Sequence, residues 1–202
     1  MCGIWAVLLE SLHDRDIEVL EKDFHSIAPR GPDRHAWIQK DDCGIVIGFH
    51  RLAIMDPSEA GDQPFVLHRN HFTYTLICNG EIYNFHELTK EHQLEVESES
   101  DCEVILKLYL KLGDISAVAN LLRGVFAFLI VITDAIHGDV TLKACRDRFG
   151  VRPLFFGWNE AKKGQRMELG LFSELKGGIH IFDHIKTFPP ATQMTFHRTR
   201  QG

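Results

Sequence analysis

An apolar run begins at the third residue of the chain. Residues 3–10, GIWAVLLE, carry no polar side chain before Glu10, a pattern typical of a strand that is buried on both faces. Burial of a strand so close to Met1 places the first residues inside the fold.

The next third of the chain predicts a helix, a loop and an apolar strand region. Apolar positions recur at helical spacing over residues 12–28, with Asp14 as a suitable N-cap. Residues 29–34, PRGPDR, place two prolines around a glycine and predict a loop. Residues 43–55 predict one or two strands broken near Gly48.

The remaining sequence predicts further strands with helices grouped between them. Residues 72–78 predict a strand that runs into Asn79-Gly80, a pair typical of a tight turn. Helices are expected at 85–92, 101–112 and 114–122. The buried run 125–133 is expected to pair with 139–146, and then with strands near 154–158, 166–172 and 192–197. These elements predict an α+β fold of stacked layers, with residues 1–202 as one domain and a two-domain division as the weaker alternative.

Composition limits the classes of function. The chain has 202 residues, 45% of them hydrophobic and 25% charged, as is usual for a soluble globular domain. The net charge of −6 argues against a nucleic-acid partner. The sequence has no run near the ~18 apolar residues of a membrane span and no basic segment before its first apolar run. We therefore expect no membrane association, no secretion and a cytoplasmic location.

Cysteines and histidines do not form the pattern of a metal site. The five cysteines include no close pair, which fits neither a disulfide framework nor a zinc site. Apart from Cys2, they are expected to be inert core residues: Cys43, Cys78, Cys102 and Cys145. Two histidine pairs are close in sequence: His68 with His71, and His180 with His184. Neither pair has a third ligand in register, so no metal is predicted.

Cys2 combines two reactive groups in one residue. The initiator methionine is normally removed before a residue as small as cysteine, which would leave Cys2 with a free α-amine. A free thiol has a pKa of about 8.5 and an α-amine one of about 7.7–8.0, so the amine can accept the thiol proton near neutral pH. The alternative is that Cys2 is simply a small buried residue at the start of a strand.

Polar groups also occur where other apolar elements end. The Asn79 amide and the Gly80 N–H, followed by Glu81, could donate to a developing oxyanion, or the pair could only form a hairpin turn. Arg51 follows an apolar strand, where a guanidinium commonly meets a carboxylate of the protein or of a ligand. Asp101 begins a predicted helix and could cap it or hold a substrate ammonium. The residues alone leave these alternatives open.

The order of short motifs along the chain is similar to that of one family. The motifs are CGI at 2–4, RGPD at 30–33, HRLAIMD at 50–56, GDQPF at 61–65, NGEIYN at 79–84, ESD at 99–101, RGVFAF at 123–128, RDRFGVRPLFF at 146–156 and SELKG at 173–177. Together they resemble the glutaminase domain of glutamine-hydrolysing asparagine synthetases, a class II glutamine amidotransferase. The resemblance covers essentially the whole chain and implies a four-layer α/β/β/α sandwich of the N-terminal-nucleophile hydrolase type.

The resemblance also implies roles for individual residues. Cys2, after loss of Met1, would attack the side-chain amide of L-glutamine, releasing ammonia and forming a glutamyl thioester that water hydrolyses to glutamate. Its α-amine would be the base, and Asn79 with the Gly80 N–H would form the oxyanion hole. The remaining implied roles are all in substrate binding: Arg51 for the α-carboxylate, Asp101 with Glu81 for the α-ammonium, and the backbone of Leu52, Ala53, Ile54 and Met55 for the pocket wall.

The resemblance implies a partner as well. Asparagine synthetases continue into an ATP-dependent synthetase domain that is absent from residues 1–202, so we expect such a domain in cis or in trans, with ATP and Mg²⁺ bound only there. No cofactor is expected in this domain, a homo-oligomer is possible, and a domain cut from a longer enzyme is favoured over a standalone protein. The alternatives are a glutaminase for another acceptor, such as an amino-sugar, purine or other amide-forming synthetase, and a regulatory module without catalysis. The sequence departs from the family pattern at Pro29, usually histidine, and at Ala191, usually glycine.

Overall fold

A computed structural model describes residues 1–12, 17–161 and 166–200 of the chain. In chain order its strands are β1 (Gly3–Leu8), β2 (Arg34–Lys40), β3 (Ile45–Arg51), β4 (Phe65–Arg69), β5 (Phe72–Ile82), β6 (Gly124–Asp134), β7 (Val140–Arg146), β8 (Phe155–Asn159), β9 (Glu168–Phe172), β10 (His184–Thr187) and β11 (Gln193–Arg198). Its α-helices are α1 (Ile17–Ser26), α2 (Phe85–Glu91), α3 (Glu103–Leu112) and α4 (Ile115–Leu121).

The strands form two antiparallel sheets. One sheet has the order β10-β8-β9-β1-β3-β2, and the other has the order β11-β7-β6-β5-β4. β1 therefore lies inside the first sheet, paired with β3 on one side and β9 on the other. This central position explains why all six of its residues are buried and why its sequence shows no polar alternation.

The two sheets share one apolar core. Ile4, Ala6 and Leu8 of β1 belong to the same buried cluster as Ile77 of β5 and Leu129 of β6. Successive side chains of a strand point to opposite faces, so the even-numbered residues of β1 and the odd-numbered residues of β5 and β6 face the space between the sheets. The sheets therefore pack face to face.

Helices cover the outer faces of the sheets. Leu20 and Phe24 of α1 pack with Trp5 and Val7, which lie on the other face of β1. On the second sheet, α2, α3 and α4 pack against the face that carries the even-numbered residues of β5 and β6, through a cluster that includes Leu88, Leu108, Val118, Cys78 and Phe128. Among the described residues, one α-helix on one side and three on the other give an α+β fold that is compatible with the predicted sandwich.

Two strand predictions need correction. β3 runs unbroken through Gly48, because glycine here admits a close neighbour: a Cβ would lie 2.5 Å from the Phe24 ring. The strand predicted to end at residue 78 continues to Ile82, so Asn79-Gly80 is not a hairpin turn. Its partner β6 is long enough to keep pairing, with Asn79 opposite Ala127 and Gly80 opposite Phe126.

Pairing and smaller elements also differ from the prediction. β11 does pair with β7. However, β8 and β9 belong to the other sheet, where β9 lies beside β1 and β8 lies beside β9. The three short or mostly exposed strands β2, β4 and β10 were not predicted. Their positions alternate weakly in burial, so the hydrophobic pattern is faint. The proposed N-cap Asp14 lies outside the described residues. Within the described ranges, the longest α-helices have ten residues and none is suited to cross a bilayer.

Candidate active site

A cavity of about 330 Å³ opens at one end of both sheets. Cys2 extends the inward-facing series of β1, and Asn79 extends the inward-facing series of Ile77 on β5. Strand alternation thus carries a thiol and an amide into the same space between the sheets, just where the apolar core ends. Both residues line the cavity.

Cys2 is held by the residue that follows β3. The Leu52 N–H donates to Cys2 Sγ over 3.4 Å, and the Sγ lies 3.7 Å from the Leu52 carbonyl oxygen. Burial raises the pKa of the Cys2 thiol, and the hydrogen bond from Leu52 partly offsets that effect. A positioned thiol with a raised pKa needs a nearby base before it can act as a nucleophile.

The RGPD loop, residues 30–33, bonds the backbone of Cys2 and of the residues next to Leu52. Arg30 Nε donates to the Cys2 carbonyl oxygen over 2.9 Å, and its Nη1 pairs with Glu174 at 3.1 Å. Asp33 accepts a hydrogen bond of 2.8 Å from the Ala53 N–H, while its own N–H donates to the Arg51 carbonyl. This loop therefore connects the nucleophile candidate to the chain that leaves β3.

The edge of β5 is open where it borders the cavity. β4 pairs with β5 only as far as Leu76. Beyond that residue, two side chains bond the β5 backbone: Gln63 bonds the N–H and the carbonyl of Cys78, and Asp101 accepts from the Ile82 N–H at 2.6 Å. Backbone N–H groups of a strand alternate in direction, so the Gly80 N–H points to this same edge, between those two contacts. It therefore faces the cavity rather than β6.

Asn79 adds a second donor. The residue is 1% exposed, and its Nδ2 has no hydrogen-bond partner among the residues the structure describes. A buried amide without a partner costs about 1–3 kcal/mol. Such a group beside the Gly80 N–H is suited to a ligand oxygen that arrives in the cavity.

Arg51 lines the cavity, but its guanidinium is already bonded to the protein. Nη1 pairs with Asp62 and donates to the Ser58 carbonyl over 2.9 Å, and Nη2 donates to the Asp56 carbonyl. Asp62 is therefore the carboxylate that the guanidinium meets. These bonds hold the segment after β3 folded around Arg51.

Two carboxylates and a second arginine complete the polar wall. Asp101 is 5% exposed, and burial raises the pKa of its carboxyl, with the Ile82 hydrogen bond acting in the opposite direction. Asp101 is thus not a helix cap for α3, whose first residue is Glu103, but a bond to the β5 edge. Glu81 is half-exposed and pairs with Arg152 Nη2 at 2.7 Å.

The cavity brings together nine of the ten residues singled out in the sequence. The nine are Cys2, Arg51, Leu52, Ile54, Met55, Asn79, Gly80, Glu81 and Asp101. Ala53 does not line the cavity, since its backbone is turned to Asp33. Met1 does line it and is about half exposed.

Sequence reasoning missed three polar residues of this region. Arg30 holds the Cys2 backbone, Gln63 bonds both the N–H and the carbonyl of Cys78, and Arg152 lines the cavity beside Glu81. All three lie in motifs that carry the resemblance, which was the available signal. Two cysteines predicted as inert core residues, Cys78 and Cys102, are buried but also border the cavity.

The structure gives physical accounts of the two departures from the family pattern. Pro29 lies in a 3₁₀ turn, Ala28–Arg30, at a position where a proline fits because its missing N–H is not needed. Ala191 has a φ of +51°, in the left-handed region that favours glycine. Pro29 is therefore compatible with the loop as built, whereas Ala191 carries local strain.

Comparison with known proteins shows the family of the chain. The sequence profile of the glutamine amidotransferase domain family matches residues 1–177, so the chain belongs to that family. Its similar relatives are asparagine synthetases of the glutamine-hydrolysing type, which confirms the resemblance drawn from the motifs.

The relatives are longer than this chain. A probable asparagine synthetase of Acanthamoeba polyphaga mimivirus is 35% identical over 96% of this chain and 34% of its own length. The asparagine synthetases of Gallus gallus and Sandersonia aurantiaca are 38% and 37% identical, each over 94% of this chain and over 31% and 34% of their own length. The chain thus spans about a third of the length of the curated relatives it matches.

Proposed function

We propose that this chain hydrolyses L-glutamine to glutamate and ammonia through Cys2, as an N-terminal-nucleophile hydrolase of four α/β/β/α layers. The observation that carries the proposal is the pairing of a positioned thiol with two oxyanion donors, Asn79 Nδ2 and the Gly80 N–H, in one cavity. Family membership supplies the substrate class.

The reaction begins when Met1 is removed. This step frees the Cys2 α-amine and clears a side chain from the cavity wall. The amine takes the thiol proton, and Sγ attacks the side-chain carbonyl carbon of glutamine. The negative charge that forms on the oxygen is stabilised by Asn79 and Gly80, a contribution of about 2.7–4 kcal/mol per donor in preorganised sites.

Two steps complete the reaction. In the first, the carbon–nitrogen bond breaks, the departing nitrogen takes the proton from the α-ammonium of Cys2, and ammonia leaves a glutamyl thioester on Cys2. Water adds to the thioester carbonyl, the carbon–sulfur bond breaks, and glutamate leaves with the thiol restored. The same two donors serve both tetrahedral intermediates.

The charged residues of the wall hold the amino-acid end of the substrate. Asp101, with Glu81 beyond it, binds the α-ammonium, since both carboxylates line the cavity and Asp101 is almost fully buried. Arg51 binds the α-carboxylate by giving up one of the bonds that its guanidinium makes to the Ser58 carbonyl and Asp62. The backbone of Leu52, Ile54 and Met55 forms the adjoining wall.

The ammonia is used in the ATP-dependent conversion of aspartate to asparagine by a synthetase unit, in cis or in trans. The support is the identity of the relatives, which are asparagine synthetases over about three times the length of this chain. No cofactor is assigned to the glutaminase unit itself, while ATP and Mg²⁺ belong to the synthetase unit. Asparagine formation from glutamine, aspartate and ATP on addition of that unit is the test of this step.

The glutaminase is tested with untagged protein whose intact mass shows the loss of Met1. Release of glutamate and ammonia from L-glutamine should be abolished in Cys2→Ala and retained in Cys43→Ala, because Cys43 is buried outside the cavity. An electrophilic glutamine analogue should label native protein once and leave Cys2→Ala unlabelled, even if turnover needs the synthetase unit. Processed, folded protein that neither turns over glutamine nor reacts with the analogue would contradict the proposal.

A further inference from the structure

A second polar cluster lies at the opposite end of the five-stranded sheet. His71 precedes β5, Asp134 ends β6, and His137 lies in the turn between β6 and β7. One ligand atom from each of these three side chains lies within 4.8 Å of the other two. The two hairpins thus give His71 two partners, Asp134 and His137, that are distant from it in sequence, and His68 is not part of the cluster.

The two oxygens of the Asp134 carboxylate have different partners. Its Oδ1 accepts hydrogen bonds from the Ile136 and His137 N–H groups at 2.8 and 3.1 Å. Its Oδ2 faces the imidazoles, 2.7 Å from His137 Nδ1 and 3.8 Å from His71 Nε2. Backbone donors on one oxygen orient the other toward both rings, which is the supporting arrangement that metal-binding carboxylates use.

Backbone hydrogen bonds also fix the two hairpins relative to each other. The Ala135 N–H donates to the His71 carbonyl over 2.9 Å and joins the two hairpins, while the Asp134 N–H donates to the Asp139 carbonyl over 2.9 Å and closes the β6–β7 hairpin. Asp134 is 9% exposed, whereas the His137 side chain is 63% exposed. The carboxylate is therefore rigid, and the exposed ring can turn without loss of packing.

We propose that His71, Asp134 and His137 form a binding site for a divalent first-row transition ion of the zinc type. Two imidazoles and one carboxylate are a common zinc ligand set, with metal–ligand distances of about 2.0–2.2 Å. The three ligand atoms lie within 4.8 Å of one another, and an ion would enter among them as the exposed His137 ring turns away from its 2.7 Å contact with Asp134 Oδ2. Mg²⁺ and Ca²⁺ are disfavoured, because they prefer oxygen ligands in larger number.

The metal site is independent of the proposed glutaminase. Asn79 lies eight positions after His71, along β5, and at ~3.3 Å per residue this is on the order of 26 Å. The bound ion would join the β4–β5 and β6–β7 hairpins and stabilise that end of the sheet. The pathway of glutamine hydrolysis does not pass through it.

The test measures Zn²⁺ binding to untagged protein by calorimetry. A Cys2→Ser background is used, because a terminal amine and thiol would otherwise compete for the ion. Co²⁺ replaces Zn²⁺ in a parallel experiment, since its visible spectrum reports the coordination directly. The variants are His71→Asn and His137→Asn, and the matched control is His68→Asn, a histidine of the same hairpin that contacts Thr73 instead of the cluster.

We expect one Zn²⁺ per chain, binding weakened at least tenfold by His71→Asn and by His137→Asn, and binding changed less than twofold by His68→Asn. A higher Tm with Zn²⁺ than with a chelator should accompany binding and be lost in the same two variants. If either variant folds poorly, Asp134→Asn replaces it, because its amide oxygen can still accept the two backbone N–H groups. Absence of saturable one-to-one binding, or equal binding by all variants, would overturn the proposal.

Discussion

The polar groups near the two ends of β5 differ in whether they have hydrogen-bond partners. At the hairpin end, Asp134 accepts from two backbone N–H groups and a histidine ring. At the cavity end, among the residues for which the structure gives positions, Asn79 Nδ2 and Arg152 Nε are buried without a hydrogen-bond partner.

This difference separates groups that stabilise the fold from groups that await a ligand. A buried donor without a partner lowers the free energy of unfolding. Its presence at one end of a well-paired strand therefore indicates a group that serves function at the expense of stability. The bonded groups at the other end hold two turns together. Activity and stability should therefore respond differently to substitutions at the two ends.

The largest effect is expected for Asn79→Ala. Loss of one oxyanion donor should lower kcat by about 10²–10³-fold, while Tm should change little because the lost amide makes no hydrogen bond to the described residues. Asp134→Ala, at the other end of the strand, should lower Tm in the presence of a chelator and leave kcat unchanged. Steady-state kinetics and thermal melts on the same samples check both variants. A large loss of Tm in Asn79→Ala would contradict the division between groups that serve activity and groups that serve stability.

The next effect concerns Arg30, a positioning residue for Cys2. Arg30→Gln should lower kcat by about 100-fold with little change in KM, because displacement of a nucleophile by about 1 Å costs that much. Arg198→Gln is the matched control, since its guanidinium also donates to backbone carbonyls, those of Leu9 and Cys43, outside the cavity.

The Arg198 control should lower Tm without changing kcat. Arg30→Lys should restore part of the activity if the hydrogen bond to the Cys2 carbonyl is what matters. Equal loss of kcat in Arg30→Gln and Arg198→Gln would show that general destabilisation, and not positioning, is responsible.

A smaller effect is expected for Asp101→Asn. The KM for glutamine should rise about 30-fold, about 2 kcal/mol, through loss of a buried partner for the ammonium. Glu81→Gln should raise KM less, because Glu81 is half-exposed and paired with Arg152. A KM in Asp101→Asn equal to that of the native chain would rule out this ammonium site.

Asp101 also predicts a pH dependence of stability with a definite sign. Burial raises the pKa of its carboxyl, so the folded state binds a proton more tightly than the unfolded state does. Its contribution to stability is therefore greatest below the ordinary carboxyl pKa of ~3.9 and falls as pH rises through the higher folded pKa. Urea unfolding of native protein and Asp101→Asn should show the variant gaining relative stability over that window.

The smallest effect compares two residues with positive φ. Ala191→Gly should stabilise the chain by about 1 kcal/mol, because alanine pays a steric cost at a φ of +51° that glycine does not. Asn70→Gly, at the hairpin end with a φ of +57°, should change stability by less than about 0.5 kcal/mol, since asparagine tolerates this region. Denaturant unfolding checks the pair, and equal changes at both positions would contradict the assignment of strain to Ala191.

Much of the fold could be predicted from hydrophobic pattern: β1, β3, β5, β6 and all four α-helices of the described residues overlap segments predicted from their apolar runs or spacing. The errors have local causes. Gly48 indicates a strand break in sequence, yet it makes room for Phe24. Asn79-Gly80 has the composition of a turn, yet long-range pairing with β6 keeps it extended.

The candidate site was predictable in membership but not in arrangement. Motif resemblance singled out nine residues that line the cavity. It could not show that Arg51 is bonded to Asp62, that Asp101 bonds the β5 edge, or that Arg30 holds Cys2, because each contact joins segments distant in the chain. The grouping of His71 with Asp134 and His137 was missed for the same reason.

The sequence by itself determined the local elements, the burial of the first strand and the reactive residue types at strand ends. These properties depend on side-chain periodicity and backbone preferences within a few residues. Only the tertiary structure decided which polar groups would be bonded and which would face the cavity. Hydrogen-bond partners come from strands that pair across long separations in the chain, so whether Asn79 or Asp134 is satisfied depends on the packed sheets.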